Sequence, residues 1–193
     1  MGKLIVIEGT DGSGKSTQFK LLTQRLVQEG HAFRQLEFPQ YSEPSSALIR
    51  MYLGGEFGSK PTDVNAYAAS AFYAVDRFAS YKKVWGEYYE NGGLILSDRY
   101  TTSNAVHQAS KEPEEKRAAF FDWLYDLEFG KMQLPKPDAV ILMDMPIELT
   151  RQLSYKYTAD AAYIQEEIDK YGHEVLVFKL VPEHITGKIT KES

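Results

Sequence analysis

Short apolar runs alternate with longer amphipathic segments along most of the chain. Within the longer segments, residues such as Phe19, Leu22 and Leu26 recur at the spacing of one helical face. Apolar runs this short and nearly continuous are typical of parallel strands buried on both faces. The strand candidates are Lys3–Ile7, Phe33–Phe38, Leu94–Ser97, Ala139–Asp144 and Glu174–Phe178. The alternation predicts a three-layer α/β fold, with a five-stranded parallel sheet and helices on both of its faces.

The longest helical pattern extends from about Asp63 to Asn91. A stripe of apolar and aromatic residues follows one side of it: Tyr67, Ala71, Ala74, Phe78, Tyr81, Trp85 and Tyr88. A stripe of this kind most often faces the core, since burial of a helix requires that spacing.

The composition fits one globular domain spanning residues 1–193. Of the 193 residues, 43% are hydrophobic and 25% are charged, and one domain is expected at this length. The formal net charge is −5, so we expect no broad basic face for nucleic acid. Any anion that the protein binds must be held by a local cluster.

Several classes of site and location are excluded by what the sequence lacks. It contains no cysteine, which rules out disulfides and thiolate metal sites. The residues after Met1 pass almost directly into an apolar strand, without the pattern of a signal peptide. No apolar run approaches the roughly 20 residues of a membrane-spanning helix. We therefore expect a cytoplasmic protein with no membrane partner.

A phosphate-binding motif follows the first predicted strand. The stretch GTDGSGKST fits G-x-x-x-x-G-K-[ST] and lies between a strand and a helix. Glycines allow the backbone to curl so that its N–H groups point at phosphate oxygens, and the lysine adds a charge for the β- and γ-phosphates. The motif predicts a nucleoside triphosphate site made of Gly9, Thr10, Asp11, Gly12, Ser13, Gly14, Lys15, Ser16 and Thr17.

A magnesium site is expected beside this loop. The Ser16 hydroxyl is a Mg²⁺ ligand in such motifs, and a carboxylate from a neighbouring strand usually completes the site. Asp98 ends the strand LILSD and is the candidate. The alternative role for Asp98 is to cap the helix that begins near Thr101.

The sequence argues against a guanine-nucleotide switch protein, because neither an N-K-x-D nor a D-x-x-G motif follows the phosphate loop. A kinase of small molecules remains.

Five stretches, GTDGSGKST, EFPQY, AFYAVDRF, SDRYTTSNAVH and LPKPDAVILMD, together resemble the thymidylate kinase family in the same order. The resemblance covers residues 1 to about 150. It implies a P-loop kinase fold, Mg·ATP as donor, dTMP as acceptor, dTDP as product and commonly a homodimer.

The resemblance assigns roles to three charged or aromatic residues. Arg99, beside Asp98, would bind the phosphate of dTMP through two N–H groups of its guanidinium and bring it to the γ-phosphate. Tyr73 would stack on thymine, and Arg77, four positions later, would donate to the base. A structural ion pair for Arg99, and a cation–π pair between Tyr73 and Arg77, stay open as alternatives.

Further positions match the acceptor side of the family. Ser103 and Asn104 match positions near the base and phosphate, although Asn104 also fits a plain polar helix residue. Asp11 matches the acid that meets the 3′-hydroxyl of the acceptor sugar and helps place its phosphate, and the resemblance makes it a catalytic candidate together with Lys15 and Arg99. His107 stands where the family often has a tyrosine near the deoxyribose.

The acceptor pocket is expected to have walls formed by Phe38, Pro39 and Tyr41. Gln40 departs from the arginine often found there, which removes one expected phosphate contact. Arg50 is a candidate to replace it, or a solvated helix arginine.

Two other functions stay open. A deoxynucleoside kinase would phosphorylate a 5′-hydroxyl and would gain from a general base, for which Glu37 is available. A non-catalytic nucleotide-binding module would bind ATP without releasing ADP. The preference for dTMP over dUMP is not determined by the sequence.

The chain departs from the family where a lid is expected. Arg151 is the last arginine, Lys156 is the nearby cation, and only a few residues separate PIELTRQLSYK from DAAYIQEEIDKYG. Either the lid near 152–162 is truly reduced, or the sequence as it stands lacks residues of it. We favour the second, since catalytic lids are mobile segments. The tail ITGKITKES also has no apolar period where the resemblance implies a last helix.

Overall fold

A computed structural model of the chain describes residues 1–10 and 12–144, together with the backbone of 175–179. The predicted lid region near 152–162, with Arg151 and Lys156, lies outside the described residues. The same holds for Asp11 and for the tail.

The five strands form one parallel sheet, as predicted. Their order is β2–β3–β1–β4–β5, and every neighbouring pair is parallel. The last strand begins and ends one residue later than predicted. The bounds are β1 Lys3–Gly9, β2 Phe33–Glu37, β3 Leu94–Asp98, β4 Ala139–Asp144 and β5 Val175–Lys179.

Six α-helices are described between the strands. They are α1 Lys15–Gln28, α2 Ala47–Leu53, α3 Ala66–Ser80, α4 Gly86–Glu90, α5 Thr101–Ala109 and α6 Glu114–Tyr125. Two π-helical segments, Tyr81–Trp85 and Asp126–Lys131, continue α3 and α6 respectively, and a 3₁₀ turn at Pro44–Ser46 precedes α2.

Alternate residues of β1 bury their side chains on opposite faces of the sheet. Val6 lies in a core cluster with Trp85 from the segment after α3, whereas Ile7 packs with Phe19 and Leu22 of α1. Successive strand residues point to opposite faces, so the sheet carries helices on both sides. The predicted fold class is therefore confirmed.

The π-helical turn after α3 changes which residues of the aromatic stripe are buried. Tyr81, Trp85 and Tyr89 form edge-to-face pairs in the core, whereas the predicted Tyr88 is only partly buried. A π-turn bonds residue i to i+5 and adds one residue to the helical turn. The buried face therefore moves one position along the chain, from Tyr88 to Tyr89.

The strand register places three chain segments at one edge of the sheet. Ile7 of β1 and Glu37 of β2 are both opposite Asp98 of β3. The central strand β1 also has β4 on its other side, so the strand order reverses there. Open α/β sheets bind ligands in the crevice at the carboxyl ends of such strands.

Among the described helices, we find none with the length and apolar character needed to cross a membrane.

Candidate active site

The glycine-rich turn between β1 and α1 has the shape that the motif predicts. A Cβ at Gly9 would lie 2.6 Å from Ser13 Oγ, so this position has no room for a side chain. Gly14 has φ 79° and precedes α1, which has neither a side-chain cap nor an acidic residue in its first turn. The first amides of α1 are therefore left for an external anion.

Lys15 and Asp98 form a buried ion pair at the carboxyl ends of the sheet strands. The Lys15 ammonium donates to Asp98 Oδ1, and both residues are less than a tenth exposed. The pair joins the start of α1 to the end of β3. The cation and the carboxylate that the motif assigns to phosphate and metal thus lie in direct contact.

Arg99 adopts an unusual backbone conformation immediately after β3. Its φ is 67°, in the left-handed region that residues with a side chain rarely occupy. Its guanidinium donates through Nη1 to Ser103 Oγ at 2.9 Å, and Nη1 lies 3.3 Å from His107 Nε2. Three predicted acceptor-side residues therefore meet, with Arg99 lying against Ser103 and His107 of α5.

One open cavity of about 420 Å³ joins the phosphate loop to Arg99. Cavities of this size hold small-molecule ligands. Its wall combines loop residues with the carboxyl ends of β2 and β3: Thr10, Gly12, Gly14, Lys15, Ser16, Thr17, Glu37, Phe38, Asp98 and Arg99. The loop and the arginine share one space, as two phosphate groups that approach each other would require.

Comparisons with known proteins agree with this arrangement. A family model described as thymidylate kinase matches residues 7–172. Thymidylate kinase from Mycobacterium tuberculosis strain H37Rv is 32% identical over 78% of this chain and 70% of its own length. The human thymidylate kinase is 30% identical over 76% of this chain and 62% of its own length.

The chain belongs to the thymidylate kinase family. A solved structure of thymidylate kinase from Candida albicans has the same fold, with a TM-score of 0.66 and 22% identity, over 92% of this chain and 83% of that one. The predicted family is confirmed, and with it the interpretation as an enzyme rather than a binding module. The thymidylate kinase interpretation also stands over a deoxynucleoside kinase, although Glu37 does line the cavity.

Within this family member, Arg77 is held by a buried carboxylate that the sequence did not indicate. Its Nε donates to Glu128 Oε2 at 2.7 Å, and its Nη2 donates to Glu128 Oε1. Both residues are almost fully buried. Burial, the largest single influence, lowers the pKa of Arg77, but the charge and hydrogen bonds of Glu128, with smaller contributions from Tyr100 and Asp76, together raise it above its usual value. Thr101 Oγ1 also donates to Glu128 Oε2, at 2.7 Å.

The Arg77 guanidinium also lies near the ring of an aromatic residue outside its own helix. The Arg77 guanidinium lies 5.8 Å from the ring centre of Tyr100, while Tyr73 is half-buried on the same helix. The role of Arg77 toward a base remains a prediction, and the bidentate pair with Glu128 fixes the direction in which its side chain extends.

Asn104 lies between α3 and α5 and is 5% exposed. Its Nδ2 donates to the Ser70 carbonyl oxygen at 3.3 Å, and its Oδ1 has no partner within the described part of the chain. A buried amide oxygen without a donor is costly. The predicted role of Asn104 toward a bound base stays a prediction.

The turn after β2 is held by two side chains from other elements. Asp76 of α3 is 1% exposed and accepts from Gln40 N at 2.8 Å and from Ser45 Oγ at 2.6 Å. Arg50 of α2 donates to the Tyr41 carbonyl oxygen at 2.8 Å. In the structure Arg50 therefore supports the turn, and its predicted contact with a phosphate stays a prediction.

Phe38 lines the cavity and is followed by a cis peptide bond to Pro39. Its ring packs edge-on against Tyr100, with centres 5.8 Å apart. Tyr41 is half exposed. Of the three predicted wall residues, the structure thus brings Phe38 to the cavity.

Glu8, the last side chain before Gly9, was missed as a site residue. It is 6% exposed, and its Oε1 accepts from Tyr100 N at 3.0 Å and Ser103 N at 3.1 Å. Burial raises its pKa to about 7, although the charges of Arg99 and Lys15 and the two N–H donors act in the opposite direction. The signal for it was a charged residue at the end of the apolar run LIVI of β1.

Proposed function

We propose that this protein transfers the γ-phosphoryl group of ATP to the phosphate of dTMP, giving ADP and dTDP. The observation that carries the proposal is the shared cavity, which has the phosphate loop on one side and Arg99 on the other. Family membership supports the choice of dTMP, since the relatives are thymidylate kinases.

The transfer needs positioning and charge neutralisation more than proton transfer. A phosphate oxygen of dTMP, already ionised near neutral pH, forms a bond to the γ-phosphorus while the bond from that phosphorus to the β–γ bridging oxygen breaks and ADP leaves. The amides of the loop and the Lys15 ammonium stabilise the donor phosphates. Arg99 holds the acceptor phosphate with a planar fork of N–H donors, which a lysine cannot reproduce.

The Ser16 hydroxyl and the Asp98 carboxylate are the groups that would hold Mg²⁺. Both line the cavity, and the described residues offer no cluster of three or more acidic or histidine side chains. This fits Mg²⁺, which usually takes one or two protein ligands together with phosphates and water. The ion would supply charge for the donor phosphates when bound.

The base and sugar would lie against α3 and α5. In this proposal Tyr73 stacks on the base, Asn104 accepts an N–H from it, and Arg77 donates to a base carbonyl. Asp11 and His107 are proposed contacts of the sugar. Ser103, on α5, accepts a hydrogen bond from the Arg99 guanidinium. We further propose a homodimer in the cytoplasm, on the strength of the family resemblance alone.

A coupled ADP-release assay tests the function. The purified protein receives Mg·ATP with dTMP, dUMP or thymidine in parallel, and with no acceptor. We expect turnover with dTMP and none with thymidine, while the dUMP arm measures the preference for the 5-methyl group. Turnover of thymidine alone would contradict the proposal, and so would ATP binding without ADP release for every acceptor.

A matched pair of arginine variants locates the acceptor phosphate. Arg99→Met is expected to lower kcat/KM for dTMP by about a hundredfold or more, because a charge-assisted contact made in a partly buried site is lost. Arg25→Met, whose side chain is 76% exposed on α1, serves as the control and should leave turnover unchanged. Equal effects of the two variants would remove Arg99 from its assigned role.

A further inference from the structure

The start of α5 is capped by a residue that lies far away in the sequence. Tyr100 is the N-cap residue of α5, and no side chain of its own caps the helix. One carboxylate oxygen of Glu8 accepts both the N–H of Tyr100 and the N–H of Ser103. These are the two amides that a capping box satisfies with two local side chains. Here a single carboxylate from β1 satisfies both.

The same strand holds the peptide unit on the other side of Arg99. The N–H of Arg99 donates to the Ile7 carbonyl oxygen at 3.1 Å, and the next N–H, from Tyr100, donates to Glu8. The two N–H groups on either side of the Arg99 Cα are therefore held by two consecutive residues of β1, the first by Ile7 and the second by Glu8. A left-handed conformation at a residue with a side chain persists only where the surroundings over-determine it. These two contacts supply that constraint.

The Tyr100 side chain adds an anchor on the far side of Arg99. It is fully buried, packs against Phe38 and Trp85, and donates through its hydroxyl to the Pro135 carbonyl oxygen at 3.2 Å. Arg99 is consequently the half-buried residue of a turn whose neighbours on both sides are buried. Its guanidinium is directed into the cavity by the backbone, and Ser103 Oγ holds it there.

Glu8 is also the residue immediately before Gly9, where the phosphate loop begins. Its backbone belongs to the donor side of the cavity, and its carboxylate holds the acceptor side. It does not line the cavity itself. We propose that Glu8 is a positioning residue that sets the distance and direction of the Arg99 guanidinium relative to the phosphate loop, and thereby the affinity for the phosphate monoester acceptor. The inference rests on the proposed function.

Three substitutions at Glu8 separate this role from general stability. Glu8→Gln replaces the carboxylate oxygen with an amide oxygen that can still accept from the two N–H groups. Glu8→Asp keeps the charge but is one methylene too short to reach both, and Glu8→Leu removes the acceptor. We expect KM for dTMP to rise in the order Gln, Asp, Leu, by about twofold, tenfold and thirtyfold or more. KM for ATP should stay within about twofold throughout.

Asp138→Leu is the matched control. Asp138 Oδ2 accepts the N–H of Leu4 at 2.8 Å at the opposite end of β1, so its loss weakens the same strand away from Arg99. This variant should lose stability without a selective rise in KM for dTMP. If Glu8→Leu fails to fold, the Asp and Gln variants carry the test. An unchanged KM for dTMP in the aspartate variant, or equal changes for ATP and dTMP, would overturn the proposal.

Amide hydrogen exchange reads the same contacts without turnover. In Glu8→Asp and Glu8→Leu, the N–H groups of Tyr100 and Ser103 should exchange at least tenfold faster, while those of β3 stay protected. A wild-type protein that released no ADP with dTMP would defeat the proposed function alone. Unchanged exchange at both amides would defeat the role of Glu8 whatever the substrate.

Discussion

The two sides of the cavity are built in different ways. The donor side is a local structure, in which most of the described residues of one loop, Gly9–Thr10 and Gly12–Thr17, line the cavity. The acceptor side depends on side chains that are far apart in sequence. Arg77 and Glu128 are 51 residues apart, and Glu8 and Tyr100 are 92 residues apart.

The difference separates two kinds of sensitivity to mutation. On the donor side the backbone binds, so a change in a loop residue other than Lys15, which is paired with Asp98, should affect activity while the rest of the fold persists. On the acceptor side, charges that orient the ligand-binding groups are themselves buried. Removing one of them leaves another buried charge without a partner, which destabilises the whole protein.

The largest effect is expected on the donor side, at Lys15. Lys15→Met removes the only side-chain cation among the described residues of the loop and should lower kcat by about 10³-fold, because charge stabilisation of the transferring group is lost. Lys20→Met, at an exposed position of the same helix, is the control. ADP release at saturating ATP and dTMP measures both, and a loss below tenfold for Lys15→Met would contradict its role.

The next effect concerns stability and lies on the acceptor side. Glu128→Leu leaves the Arg77 guanidinium buried without its carboxylate and should lower the free energy of unfolding by about 3 kcal/mol or more. The double variant with Arg77→Met removes both charges and should recover much of that loss. Urea unfolding of the two single variants and the double variant gives the coupling energy. Additive losses would show that the pair is not coupled.

A pH effect of similar size is expected at Glu8, where the two sides meet. The pKa of its carboxyl is about 7 in the folded protein and about 4.5 when unfolded. The folded state therefore binds this proton more tightly. Its contribution to the free energy of unfolding is fully present below pH 4.5 and is lost as the pH rises through 7. At about 1.4 kcal/mol per unit, the loss is about 3 kcal/mol.

Unfolding in urea between pH 4.5 and 8, without nucleotide, checks this dependence. Glu8→Gln does not titrate, so its stability relative to the wild type should increase across that range. Parallel pH profiles for the two proteins would mean that the fold does not favour protonated Glu8.

The smallest effect compares two glycines at the ends of α1. Gly14 and Gly30 have φ 79° and 77°, and neither has an atom within 4 Å of an added Cβ. Each glycine-to-alanine change should cost about 1 kcal/mol through backbone strain alone. Only Gly14→Ala, which borders the cavity, should also impair ATP binding. Similar losses of ATP affinity in both would mean that the loop geometry does not matter for the donor.

The comparison also explains what could be predicted from the sequence. The strand, loop and helix around Lys15 are contiguous, and their residue types report directly on the backbone shape that they adopt. The carboxylates of Asp76 and Glu128 carry no such local signal, and that of Glu8 is marked only by its charge at the end of an apolar run. Each lies in a helix or strand whose pattern is complete without it, and its partner is identified only when distant elements pack together.

Arg77 illustrates the limit. Its position beside Tyr73 on one helix was evident from the spacing, but its carboxylate partner lies on the π-helical segment after α6. The burial of Tyr89 instead of Tyr88 has a similar origin, since a π-turn is set by packing and interrupts the helical period on which the prediction relied.

By itself, the sequence determined the order of strands and helices along the chain, the position of the phosphate loop and the family. These depend on residue spacing over a few turns, and spacing is a property of the chain. Only the tertiary structure decided which charges meet: Lys15 with Asp98, Arg77 with Glu128, and Glu8 with the turn that carries Arg99. A buried charge must find its partner wherever the fold places one, because leaving it unpaired in a medium of low dielectric constant costs more than local structure can supply.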